Sequence, residues 1–272
     1  MLLHTSYLIC TTPRSGSTLL CEALTNTGIA GRPEEFFQVR KETGTTRRPL
    51  DYFEGIDTTE IAAILGGCTG LEDPLMNPVP GESYADYLAR IMQQRTTRNG
   101  VFGAKVMWGY FDGLLSNLAR IPLYRGLAES DLLPTVFPNL HYIWLTRGDK
   151  VGQAVSLWKA IQTWAWSYEE VSTVASKPPV RQLTFHFGAI DHLVQQIVAD
   201  ETAWQQYFTR HGIEPFTVVY EDLTAAYEET ARNILHFLGV SAPENLEFAE
   251  RRMKRQANAL SKEWVERYYQ FK

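Results

Sequence analysis

Residues Ser6 to Leu24, SYLICTTPRSGSTLLCEAL, leave this chain few ways to fold. Tyr7 to Thr11 reads as a buried strand, the next residues as a tight polar turn, and Thr18 to Thr27 as a helix ending at the C-cap candidate Gly28. The pattern returns in NLHYIWLTRGDK, where a strand from Tyr142 to Thr146 ends in Arg147 and a Gly-Asp turn before the helix KVGQAVSLWKAIQTW. VFGAKVMW, after Asn99-Gly100, and PFTVVYEDL read as further strands. Helical segments are expected in ESYADYLARIMQQRTT, with Tyr84, Tyr87, Leu88, Ile91 and Met92 on one face, and in FHFGAIDHLVQQIVADETAWQQYFTRHG. Two more are expected in TAAYEETARNILHFLGV, with Ala226, Ile234, Leu235 and Leu238 as core, and in SKEWVERYYQF. Strands alternating with helices through short turns predict a central, mostly parallel sheet flanked by helices, a three-layer P-loop-like α/β fold. Such sheets bind ligands beyond the carboxyl ends of their strands, where both the PRSGST turn and Arg147 fall.

The chain has 272 residues and no Gly/Ser/Pro-rich linker between halves, so a single domain over residues 1–272 is expected. The segment AGRPEEFFQVRKETGTTRRPL is polar and turn-rich and reads as a surface loop or lid. A net charge of −5 gives no reason to expect nucleic-acid binding. Cys10, Cys21 and Cys68 have no paired or zinc-like spacing and read as reduced thiols. With no basic n-region, no long apolar h-region and no apolar run of membrane-spanning length, a cytoplasmic protein is expected.

The turn after the first strand is built for an anion. A helix N-terminus offers unpaired N–H groups and the positive end of the helix dipole. Gly16 allows close backbone approach, Ser15, Ser17 and Thr18 add hydroxyl donors, and Arg14 adds a planar charged fork. As a GxxxxGK[ST] loop it fails, since Thr11 and Ser17 stand where Gly and Lys are required. The strand YIWLT also lacks a terminal Asp to hold magnesium.

TPRSGSTLL resembles the loop with which sulfotransferases hold the 5′-phosphosulfate of 3′-phosphoadenylyl sulfate (PAPS). The ordered set PRSGSTLLCEAL, TGIAGRPEEFF, NGVFGAKVMW, RGDKVGQAVSLWKAIQT, FHFGAI and RQANALSKEWVERY resembles the bacterial trehalose 2-sulfotransferase (Stf-type) family over nearly the whole chain. The resemblance implies metal-independent transfer of a sulfuryl group from PAPS to a hydroxyl of a sugar or glycolipid acceptor, with adenosine 3′,5′-bisphosphate as product. It also implies a general base at Glu35, and a 3′-phosphate site with Arg147, its family partner Ser156, and Arg255 in a C-terminal loop closing over the nucleotide. An Arg147–Asp149 ion pair is the structural alternative.

An alcohol is a poor nucleophile at neutral pH, so a base is needed. Glu34 and Glu35 supply carboxylates, with Phe36 and Phe37 expected to desolvate Glu35 and Glu34 expected to be solvated. Arg14 and the loop amides are placed to stabilise the leaving group, and Lys105 either reaches the sulfuryl oxygens or pairs with a carboxylate. Acceptor contacts are sought at Pro13, Arg32, Glu34, Phe37, Trp108, Gln162 and His186, although Trp108, Trp158, Trp164 and Trp166 fit a core better and a helix hydrogen bond is the default reading of His186. Pro13 and Arg32 stand where trehalose-type members carry Gln and an acidic residue, which argues for a different glycan, a glycolipid or an anionic acceptor. A homodimer is compatible with the sequence. A P-loop kinase and a non-catalytic nucleotide-binding protein are the competing readings.

Overall fold

The computed structural model describes residues 3–66, 69, 78–79, 81–164, 182–243, 245–246, 248 and 259–272. In chain order the elements begin with β1 (Thr5–Thr11), α1 (Ser17–Asn26), a 3-10 turn (Pro49–Phe53), α2 (Thr59–Leu65), α3 (Tyr84–Arg95), β2 (Val101–Met107) and α4 (Trp108–Arg120). A second 3-10 turn (Pro122–Tyr124), α5 (Glu129–Val136), β3 (Leu140–Thr146), α6 (Lys150–Thr163) and α7 (Phe187–His211) follow. The chain closes with β4 (Phe216–Val219), α8 (Tyr220–Ala225), α9 (Tyr227–Phe237) and α10 (Ala259–Phe271). Two compact units form: Met1–Thr45, Leu75–Gly148 and Asp200–Arg251 make the first, and Thr46–Pro74, Asp149–Ala199 and Arg252–Lys272 the second.

The first unit holds a four-stranded sheet of order β2-β1-β3-β4, parallel at every pairing. Both neighbours of β1 come later in the chain, so β1 and β3 flank the switch point where such sheets open a crevice. The β1–β3 ladder stops at Cys10–Trp144, two residues before β3 ends. One face of the sheet buries Leu8, Cys10, Phe102, Ala104, Val106 and Tyr142 against α4, α5 and the second half of α7, with Phe111, Leu133 and Trp204 at its centre. Strand alternation sends Tyr7, Ile9 and Lys105 to the opposite face. There the Tyr7 hydroxyl donates to the Ala30 carbonyl at 2.6 Å, just past α1.

β2 is an edge strand, yet every residue in it is buried. Residues 30–39 cover that edge, and this corrects the expectation of a surface loop or lid. Gly31, at φ +77, lies so close to β2 that a Cβ would meet Gly103 N and Val101 O at 3.0 Å. The Lys105 amide donates to the Glu34 carbonyl (2.9 Å), and the Tyr87 hydroxyl to the Phe36 carbonyl (2.6 Å). Phe36 and Phe37 go into the core against Phe102 and Phe137. A strand edge left bare would recruit another chain, and here the protein's own backbone occupies it.

Helices α4 and α5 occupy residues to which the sequence reading assigned no element. Both carry residues that weaken helical expectation: Gly109 and Gly113 in α4, Pro134 in α5. β4 stops at Val219, and the YEDL residues expected in a strand open α8 instead. Three of the four expected core positions of α9 hold: Ile234, Leu235 and Leu238 are buried, while Ala226 sits half-exposed at the helix start.

In the second unit α2, α6, the first half of α7 and α10 enclose a core around Phe53, Trp158, Leu193 and Trp264. The Trp158 indole N–H donates to the Thr184 carbonyl at 2.9 Å. At α10, the Tyr268 hydroxyl and the Lys272 ammonium both reach Asp191, at 2.6 and 2.8 Å.

Candidate active site

Arg14, at φ +61, and Gly16, at φ +94, turn the chain from β1 into α1 through two left-handed residues. Gly16 is the N-cap, so α1 has no side-chain cap on its first-turn amides. An anion receives those N–H groups directly, which is the fit a phosphate or sulfate requires. Thr18 is exposed and Ser17 is buried at this helix start. Ser15 differs from expectation: its hydroxyl is fully buried and hydrogen-bonds inward with the Thr11 hydroxyl at 2.6 Å. Thr11 in turn donates to the Leu145 carbonyl at 2.9 Å, tying β1 to β3 where their ladder has ended. Ser15 therefore ties the turn to the strand ends through its hydroxyl.

The strand ends around this turn are braced from several sides. The indole N–H of Trp204 donates to the Thr11 carbonyl at 3.0 Å, and the Thr146 hydroxyl donates to Glu201 at 2.8 Å. Arg147 follows directly, its guanidinium 4.8 Å from the centre of the Tyr220 ring and reaching the Arg14 carbonyl at 3.5 Å. The switch-point crevice of the first unit thus carries Arg14 and Arg147 together with a helix N-terminus.

On the α1 face of the sheet, the Lys105 ammonium lies 2.8 Å from the Glu35 carboxylate, and both side chains are largely buried. The segment along β2 makes this pair, because the Glu34–Lys105 backbone bond sets the register that brings Glu35 over Lys105. Burial is the largest influence on Lys105 and pushes its pKa down; the charge and hydrogen bond of Glu35, with the Cys21 sulfur, outweigh it and leave the ammonium above the ordinary lysine range. Arg14 is near enough to act on Lys105 in the opposite sense. Cys21 is a free buried thiol beneath the pair, raised to about 12 mainly by burial. Glu35's partner is therefore Lys105, while Phe36 and Phe37 point into the core rather than around the carboxylate. Glu34, expected to be solvated, is half-exposed and paired with Arg95 at 2.7 Å.

The remaining candidates scatter. Pro13 is half-buried beside the turn and Arg32 is exposed. Trp108 packs on Phe111 and Trp204 and lines a hollow of about 180 Å³ with Asp112, Glu129, Gln206 and Arg210, on the sheet face opposite Lys105. In the second unit Ser156 lies on α6, and Asp149 caps that helix by accepting from the Gly152 amide at 2.7 Å. Gln162 holds both backbone groups of Thr184, at 2.8 and 3.1 Å. His186 accepts from the Ala189 amide at the start of α7 and sits 3.0 Å from Glu60. Those bonds fasten Gln162 and His186 within their unit. Arg255, Trp166 and Cys68 lie outside the described residues. Among the described residues, no group of three His, Cys, Asp or Glu is arranged to hold a metal, and no helix is long and apolar enough to cross a membrane.

The sequence profile of the Stf0 sulphotransferases matches residues 6–270. This chain belongs to the Stf0 sulphotransferase family. It is 34% identical over 274 residues to the trehalose 2-sulfotransferase of Mycolicibacterium smegmatis (strain ATCC 700084 / mc(2)155), covering 97% of this chain and 94% of that one. It is 33% identical over 269 residues to the trehalose 2-sulfotransferase of Mycobacterium tuberculosis (strain ATCC 35801 / TMC 107 / Erdman), covering 96% and 93%. Among solved structures it is similar to a sulfotransferase from Alicyclobacillus acidocaldarius, with 14% identity, a TM-score of 0.47, and coverage of 99% of this chain and 96% of that one. Membership of the Stf0 family makes the chain a sulfotransferase.

Two residues of this Stf0 chain at the crevice escaped the sequence reading. Tyr220 packs against Gly16 and beneath Arg147, and Glu221 accepts from the Gly148 amide at 3.1 Å. The available signal was position: they directly follow the apolar FTVV run, at a strand's carboxyl end.

Proposed function

We propose that this sulfotransferase uses PAPS as donor and a hydroxyl of a carbohydrate or glycolipid as acceptor, with Glu35 as general base and no metal. The observation that carries the reading is the Glu35–Lys105 pair at 2.8 Å, within electrostatic reach of Arg14 at the anion-binding turn. PAPS, when bound, supplies a sulfuryl group whose bond to the 5′-phosphate oxygen breaks as the acceptor oxygen bonds to sulfur. The α1 amides and Arg14 hold the 5′-phosphosulfate and receive the charge that develops on the leaving oxygen. Glu35 takes the acceptor's hydroxyl proton, and Lys105 orients that carboxylate. Arg147 selects the 3′-phosphate through a charge-assisted fork. The family match runs through both packing units, which supports one sulfotransferase domain over residues 1–272. A cytoplasmic location fits that chemistry.

The relatives are named for trehalose, so trehalose is the first acceptor to try. Pro13 and Arg32, which flank the site in sequence, favour a different or anionic glycan over it.

Thermal-shift measurements with adenosine 3′,5′-bisphosphate, ADP-magnesium and AMP test the donor. Stabilisation by the bisphosphate above the other two is expected, and a preference for ADP-magnesium would sink the reading. Glu35→Gln is expected to keep nucleotide affinity and lower turnover by about 10²-fold or more. Unchanged turnover removes Glu35 as the base.

A further inference from the structure

Beyond the residues that would touch the donor, one aromatic ring joins the two anion-holding elements of the first unit. Gly16 occupies a left-handed conformation whose missing Cβ would meet the Tyr220 ring at 2.2 and 2.8 Å. The same ring lies 4.8 Å from the Arg147 guanidinium carbon. Arg147 also reaches back to the Arg14 carbonyl, one residue into the turn. The residue after the ring, Glu221, accepts from the Gly148 amide and so fixes the backbone on the far side of Arg147.

We infer that Tyr220 is a positioning residue that locks the Gly16 turn and the Arg147 guanidinium into one arrangement, and thereby sets the preference for a nucleotide carrying a 3′-phosphate. The inference rests on the PAPS reading above. An arginine on a flexible stem loses rotamer freedom when it grips a phosphate, and that loss weakens binding. A guanidinium already stacked on a ring has been ordered in advance, and the face of the ring attracts its charge. The ring occupies the space that any side chain at position 16 would need, so the turn and the ring are packed directly on each other. The spacing between the turn, which takes the 5′ end of a nucleotide, and the arginine, which takes the 3′ end, is then set by one rigid spacer. The ring does this through its faces and needs no hydroxyl.

Calorimetry on the full chain tests this with adenosine 3′,5′-bisphosphate and adenosine 5′-monophosphate against wild type, Tyr220→Phe and Tyr220→Leu. The readout is the ratio of the two dissociation constants, because general loosening of the site lowers both affinities and leaves the ratio alone. Wild type and Tyr220→Phe are expected to share one ratio, and Tyr220→Leu to lower it by about tenfold. An unchanged ratio in Tyr220→Leu overturns the inference, and so does a Phe variant that behaves like Leu. If Tyr220→Leu does not fold, Tyr220→Met, apolar and without a π face, replaces it under the same criterion. A wild-type ratio near one overturns the PAPS reading itself and this inference with it. A high wild-type ratio that survives every substitution leaves the donor assignment standing and removes only Tyr220.

Discussion

The Glu35–Lys105 pair can be weighed by a double-mutant cycle. At 2.8 Å and an effective dielectric of about 20, the attraction is about 6 kcal/mol before desolvation is counted. Removing both ions from water offsets much of that, so the pair adds little net stability, but breaking it strands a buried charge. Lys105→Met and Glu35→Gln are each expected to cost about 3–5 kcal/mol. The double variant Glu35→Gln/Lys105→Met is expected to recover about 2–3 kcal/mol relative to the sum of the singles. Urea unfolding measures this, with an unchanged slope showing that the unfolded state is comparable across variants. pH supplies an independent sign. In the wild type Lys105 titrates above the ordinary value of about 10.4, so its contribution is complete below that value and is lost as pH rises through the folded pKa. In Glu35→Gln burial dominates and the folded pKa drops below the unfolded one, so stability rises with pH on the approach to the unfolded value of about 10.4. Additive single substitutions, or identical pH slopes in wild type and Glu35→Gln, would refute the reasoning.

Gly16→Ala and Gly28→Ala form a matched comparison, since both glycines have positive φ but only Gly16 faces a neighbour. Gly28→Ala is expected to cost about 1–2 kcal/mol from backbone strain alone. Gly16→Ala should cost at least about 1 kcal/mol more through the Tyr220 overlap, and should weaken adenosine 3′,5′-bisphosphate in calorimetry. In the second unit, the Lys272 and Tyr268 hydrogen bonds hold the Asp191 carboxyl below its usual range. Asp191→Asn is expected to lower stability by about 1 kcal/mol at neutral pH. That gap should close in thermal melts as pH falls below about 4 and through the lowered folded value, where the wild-type carboxylate takes up its proton.

Much of the anion-binding turn was readable in the chain because it is local. The β1 turn and α1 are consecutive residues with a strong period change between them, and Arg147 follows an apolar strand directly. The partners that complete the site are not local. Glu35 and Lys105 were each singled out, but their pairing depends on residues 31–37 running along β2, which no periodicity signals. Ser15 looks like a donor in sequence, and its inward turn to Thr11 appears only once β1 and β3 are adjacent. Tyr220 hid in a run whose composition continues the strand, and the chain changes to helix at that residue with Leu223 buried. Helix α4 was missed because Gly113 reads as a breaker; it lies where a Cβ would meet the Val39 carbonyl at 1.8 Å, so the glycine serves contact rather than flexibility.

That contact is the last of a series fastening residues 31–39 to the first unit: Gly31 on β2, the Glu34 carbonyl on Lys105, the Phe36 carbonyl on Tyr87, and Val39 on Gly113. Past it the chain makes a small turn closed by the Arg40–Thr45 and Gly44–Arg40 backbone bonds. Divergence in the sequence of that turn leaves the position of Glu35 untouched. A lineage can therefore rewrite those few exposed residues while inheriting the same buried carboxylate–ammonium pair.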